Sequence, residues 1–164
     1  MKELQVRLFE YSCQQTFWTT NFVLTTPMQL LRRLAQIVLG LALGYAGVGH
    51  LGANRVEFQA QVPNLLKEYA DFVVVASGVV EIALGAGLLL LWKYRVVVGW
   101  IVAAFFVAIF PGNISQYVNG IDAFGLDSDT ARLVRLFFQP LLVAWALWCT
   151  GAWKARKAKS VDNG

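Results

Sequence analysis

Residues 72–92 read FVVVASGVVEIALGAGLLLLW, an apolar run whose only polar side chains are Ser77 and Glu81. About 20 such residues cross a hydrocarbon core of about 30 Å as a helix. Residues 30–51, 95–114 and 134–153 form three further runs of this kind. The runs are continuously apolar and do not alternate with a period of two, which favours helices over barrel strands. The sequence therefore predicts an all-α integral membrane protein, a bundle of four transmembrane helices.

The composition agrees with a membrane protein of one domain. Of the 164 residues, 57% are hydrophobic and the mean hydropathy is +0.54, which is too apolar for a soluble core of this size. The net charge of +4 comes from basic residues at the edges of the apolar runs, so we do not expect nucleic-acid binding. Cys13 and Cys149 belong to no metal-ligand pattern, and we predict no metal site.

Two terminal segments flank the predicted transmembrane domain, which spans residues 30–153. In residues 1–29, apolar side chains recur at nearly helical spacing, which predicts an amphipathic helix on the membrane surface; a flexible segment is the alternative. Thr26 and Pro27 resemble an N-cap followed by the first residue of a helix. Residues 154–164 form a basic tail.

The lysines and arginines predict the orientation, because they are enriched in cytoplasmic flanks. Ten of the 14 fall in residues 1–33, the turn at residues 93–95 and the C-terminal tail. The other four are Arg55, Lys67, Arg132 and Arg135. We therefore expect a multi-pass protein of the plasma membrane, the inner membrane of a bacterium, with both termini in the cytoplasm.

Glu81 is the polar residue that most needs an explanation. It lies nine residues after Phe72, about 14 Å along a helix and thus close to the middle of the bilayer. A carboxylate at that depth costs roughly 2.5 to 3.5 kcal/mol on insertion scales, so Glu81 should face the bundle and meet a partner. Ser77, Gly78 and Gly85 share its face and would let another helix approach.

His50, Asn113 and Gln139 supply one polar residue from each of the other three helices. Side chains lean toward the N-terminus of their own helix, so His50 and Glu81 should approach each other in the outer half of the membrane. Asn113 and Gln139 should lean toward the same region. The four residues are candidates for ligand binding or proton relay. The alternative for Glu81, Asn113 and Gln139 is a structural role in holding helices together, and for His50 a position facing the outer interface.

Arg132 and Arg135 lie near the outer end of the last helix, on the same stripe as Gln139. We interpret them as the mouth of a pocket or as a site for lipid phosphate. The chain contains no Walker loop, GxSxG or HExxH motif, so we assign no catalytic residue.

Several short strings carry a family resemblance: AGVGH at 46–50, VP at 62–63, SGVVE at 77–81, FPGNI at 110–114 and RLFFQP at 135–140. Together they resemble the DoxX-like family of small four-helix membrane proteins, over residues 34–150. The resemblance implies the four-helix fold, a membrane location and an association with membrane oxidoreductase complexes or with the assembly of other membrane proteins. It implies no catalytic residue.

Three functions fit these observations. The first is an accessory subunit of a quinone-linked oxidoreductase, with an outer-leaflet pocket for a quinone or a lipid. The second is an assembly protein that associates with a membrane protein partner or with copies of itself, in which the polar cluster is structural. The third, least favoured because four helices leave little room for a gated path, is a proton-coupled transporter.

Overall fold

The computed structural model describes residues 27–155, and every regular element in that range is helical. Five α-helices follow one another: α1 (Pro27–Leu51), α2 (Arg55–Gln59), α3 (Ala70–Leu90), α4 (Arg95–Val118) and α5 (Asp129–Cys149). Short 3-10 turns at Asn64–Tyr69 and Trp92–Tyr94 precede α3 and α4. The predicted amphipathic helix and most of the basic tail lie outside the described residues.

Four of these helices are long and apolar enough to cross a membrane, namely α1, α3 with its preceding turn, α4 with its preceding turn, and α5. Large apolar side chains remain exposed on the outside of all four, including Leu41, Val79, Val107 and Leu141. A soluble protein of this size rarely exposes so much apolar surface, whereas lipid covers it at no cost. The predicted four-helix membrane fold is confirmed, and the chain is a multi-pass membrane protein.

The connection between α4 and α5 is shorter than the sequence predicted. α4 continues through Pro111 to Val118, past the expected end near residue 114. α5 begins at Asp129, before the expected start at residue 134, because the Ser128 hydroxyl accepts a hydrogen bond from the Ala131 N–H and caps the helix. Gly120 leaves α4 in the left-handed region at φ 60°, a conformation that glycine adopts without strain.

Glycines bring the backbones of α1 and α3 into direct contact. A Cβ atom added to Gly47 would lie 2.6 Å from the Gly78 carbonyl oxygen, and one added to Gly85 would lie 2.6 Å from the Gly40 carbonyl oxygen. Both distances are far below a normal carbon–oxygen contact, so only glycine permits this approach. The crossing at Gly47 and Gly78 sets the end of α1 beside the first half of α3.

The apolar core lies toward the end of the bundle where α3 ends and α4 begins. Leu39 and Leu43 of α1, Leu88 of α3 and Val102 of α4 pack there with Ala146 of α5, and all five are buried. Gln36 is also buried at this end, where its Nε2 donates a 2.7 Å hydrogen bond to the Leu88 carbonyl in the last turn of α3. The opposite end of the bundle is packed less completely and contains His50, Asn113 and Arg135.

Candidate functional site

A cavity of about 510 Å³ lies at the end of the bundle where α1 and α4 end and α3 and α5 begin. All four long helices and the connection between α1 and α3 contribute to its walls. Its size falls within the range of small-molecule sites, and its lining is mainly apolar, as in such sites. The polar groups that interrupt the lining include His50, Gln61, Glu81, Asn113, Arg135 and Gln139.

His50 and Glu81 meet on one wall of the cavity. The His50 Nδ1 atom lies 2.9 Å from Glu81 Oε2 and 2.8 Å from the Ala46 carbonyl oxygen, and both side chains are buried. A carbonyl oxygen only accepts, so the hydrogen bond to Ala46 requires a hydrogen on Nδ1. Glu81 Oε2 is therefore close to the ring but has no hydrogen bond of good geometry among the described residues. The other ring nitrogen of His50 has no hydrogen bond to a described residue.

Phe58 of α2 holds the His50 ring in place. The two ring centroids are 3.5 Å apart and the planes are inclined by 16°, which is a stacked arrangement. Phe124, from the connection between α4 and α5, contacts the edge of Phe58 at a centroid distance of 4.6 Å. Neither aromatic residue could be predicted to lie here, since nothing in the loop sequences shows which side chains fold back over the cavity.

Asn113 and Gln139 form a chain of amides on the facing wall. Gln139 Nε2 donates to the Phe106 carbonyl at 2.7 Å, and Asn113 Nδ2 donates to Gln139 Oε1 at 3.0 Å. Arg135 Nε donates to Asn113 Oδ1 at 3.4 Å. Since arginine only donates, it fixes the orientation of both amides in turn.

Arg135 also reaches the loop that covers the cavity. Its Nη2 donates to Gln61 Oε1 at 3.1 Å, and the guanidinium carbon lies 5.3 Å from the centroid of the Phe124 ring. Arg135 therefore links α5 to both connections at this end of the bundle.

Arg132 has a different role, although it lies one helical turn away. Its side chain is buried and donates to Asp122 Oδ1 at 2.5 Å, to Asp129 Oδ1 at 2.8 Å and to the Leu126 carbonyl at 3.0 Å. It is not among the residues that line the cavity. Of the two predicted arginines, Arg135 is at the cavity and Arg132 organises the connection before α5.

Two further contacts hold α2 over the cavity. Arg55 makes a two-pronged hydrogen bond with Asp71 at the start of α3, and this bond raises the pKa of Arg55 above its ordinary value. Glu57 accepts a 2.9 Å hydrogen bond from the backbone N–H of Phe124. The connection between α1 and α3 is thus joined to the connection between α4 and α5 above His50.

The structure brings His50, Glu81, Asn113 and Gln139, one from each long helix, to the wall of a single cavity. Comparison with curated proteins gives no match, and comparison with solved structures gives none. A family model described as a domain of unknown function, DUF8561, matches residues 39–150, which include all the polar residues of the cavity. Because the match covers well over half of the sequence, this chain belongs to the DUF8561 family.

Proposed function

We propose that this protein is an accessory membrane subunit that binds an amphiphilic molecule, a quinone or a lipid, in the cavity between its helices. The observation that carries the proposal is the cavity of about 510 Å³, apolar in most of its lining but provided with His50, Glu81 and Arg135. An amphiphile matches this arrangement, because its hydrocarbon part fits the apolar lining and its head meets the polar groups. The DoxX-like resemblance supports an association with a membrane redox system.

If the ligand is a quinone, the polar residues provide what its head requires. The carbonyl oxygens of a quinone accept hydrogen bonds, and reduction to the quinol consumes two electrons and two protons. His50 and Glu81 would hold and transfer the protons, while a partner protein would supply the electrons. We assign no independent catalytic activity to this chain.

The positions of the lysines and arginines support a cytoplasmic location for both termini, in the inner membrane of a bacterium. With this orientation, the cavity opens in the outer half of the bilayer. Fusions of alkaline phosphatase and of green fluorescent protein to the C-terminus test it: we expect a fluorescent fusion and an inactive phosphatase. An active phosphatase fusion would reverse the orientation and place the cavity on the cytoplasmic side.

Mass spectrometry of organic extracts tests ligand binding. Wild-type protein purified in a mild detergent should carry a quinone or lipid in stoichiometric amount, and the Glu81→Gln variant should carry much less. Glu68→Gln is the matched control, because Glu68 is exposed and lies outside the cavity lining. A well-folded Glu81→Gln variant that retains as much ligand as wild type would contradict a role for this carboxylate.

An assembly protein without a ligand remains the second candidate. The Asn113 and Gln139 side chains bond to each other and to the Phe106 carbonyl. This network favours the second candidate, because joining α4 to α5 is a sufficient role for it without any ligand. Gly40 and Gly47 do not favour it, because both contact α3 within the same chain and are not open to a partner helix. Wild-type protein that is well folded and contains no ligand would support this candidate.

A further inference from the structure

Arg135 differs from the other arginines at this end of the bundle in the partners that it has. Arg55 pairs with Asp71, and Arg132 pairs with two aspartates. Arg135 has no carboxylate within ion-pair distance anywhere in residues 27–155; its hydrogen bonds go to the neutral amide oxygens of Asn113 and Gln61. A guanidinium has five N–H donors, and the described residues accept from only two of them, on a residue that lines the cavity.

Gln61 presents a second unused donor beside Arg135. Its Oε1 must face the guanidinium, because arginine cannot accept a hydrogen bond, and its Nε2 therefore points elsewhere. That nitrogen is buried and has no partner among the described residues. A buried donor without a partner costs free energy, which a ligand acceptor would recover. Gln61 also lines the cavity.

We propose that the ligand has an anionic head, a phosphate or a carboxylate, that binds to Arg135 and Gln61. Two adjacent donor groups with one uncompensated positive charge match an anionic oxygen better than a neutral carbonyl. The remainder of the cavity is lined by apolar side chains such as Leu39, Leu43 and Leu142, which suit an acyl chain. The inference rests on the proposed function and narrows it from any amphiphile to an acidic lipid.

Two lipids that differ only in the phosphate provide the test: dioleoyl phosphatidic acid and dioleoylglycerol. Each is titrated into the full-length protein in a non-ionic detergent, and binding is measured by native mass spectrometry. We expect the phosphatidic acid to bind roughly 10- to 100-fold more tightly, the range of a hydrogen-bonded charge pair. In Arg135→Gln this preference should be lost while binding of dioleoylglycerol is unchanged. Gln61→Leu should reduce the preference in part.

Arg33→Gln is the control for charge, because Arg33 is exposed and is not among the residues that line the cavity. It should keep the full preference. If Arg135→Gln does not fold, Arg135→Lys takes its place; it retains the charge and should keep most of the preference for phosphatidic acid. The comparison of the two lipids in wild type needs no variant. Competition by inorganic phosphate distinguishes the source of the anion: full displacement of the lipid by phosphate would support the anion site but assign it to a free anion.

The outcomes separate this inference from the proposed function. Equal affinity of wild type for the two lipids, or an undiminished preference in Arg135→Gln, would overturn the anionic head and leave an amphiphile site in place. Failure of wild type to bind either lipid or a quinone would overturn the proposed function itself.

Discussion

Replacing Gly85 with alanine should destabilise the protein by forcing α1 and α3 apart. The new Cβ atom would lie 2.6 Å from the Gly40 carbonyl oxygen and 3.0 Å from the Gly44 backbone nitrogen. Both are backbone atoms, which cannot rotate away as a side chain would, so one helix must shift by several tenths of an ångström. Overpacking of this kind costs about 1–3 kcal/mol.

Gly87→Ala is the matched control, two residues further along the same helix. Its Cβ atom would meet only side-chain carbons, the nearest Val98 Cγ1 at 3.4 Å, which is an ordinary contact. Both variants gain about 0.5–1 kcal/mol from the higher helix propensity of alanine, so the difference between them isolates the packing cost. Unfolding in detergent, followed by circular dichroism, measures that difference. If Gly85→Ala is as stable as Gly87→Ala, the close crossing of α1 and α3 is wrong.

Three further substitutions separate residues of the site from residues of the bundle. Gln139→Leu leaves the Asn113 amide without its acceptor and removes a side-chain bond to the Phe106 carbonyl, and should cost about 1–3 kcal/mol in unfolding free energy; an unchanged stability would contradict the amide chain. Gln36→Leu leaves the Leu88 carbonyl unpaired and should cost a similar amount, yet ligand retention in extracts should be unaffected, because Gln36 is not among the residues that line the cavity. Phe58→Leu removes the ring stacked on His50, worth about 0.5–1.5 kcal/mol, and should weaken ligand binding more than it lowers the unfolding midpoint; equal effects on both would argue against a positioning role.

The fold could be predicted because membrane-spanning helices are recognised from length and apolarity alone. The grouping of the polar residues could be predicted for a similar reason. A helix fixes both the depth of a residue and the lean of its side chain, so His50 and Glu81 could be expected to approach each other from antiparallel helices. The structure places them in contact, at 2.9 Å. Their role in binding a ligand remains a prediction.

The connections could not be predicted, since their packing depends on contacts between residues far apart in sequence. Phe58 and Gln61 lie in one loop and Phe124 in another, and no periodicity indicates that these side chains meet above His50 and Arg135. The same limitation applies to Arg132 and Arg135. They share a helical stripe, but only the three-dimensional position of the acidic residues in the preceding loop shows that, within residues 27–155, Arg132 pairs with carboxylates and Arg135 does not.

Filling the cavity is the most direct test that it holds a ligand. Ser77 lines the cavity from α3, and its hydroxyl bonds only to the Val74 carbonyl in its own helix, so the bundle does not depend on it. Native mass spectrometry would compare Ser77→Phe, which occupies the space, with Ser77→Ala, which does not. We expect a bound amphiphile in wild type and in Ser77→Ala, and none in a folded Ser77→Phe variant. If folded Ser77→Phe retained the same molecule at full occupancy, the binding site would lie outside this cavity.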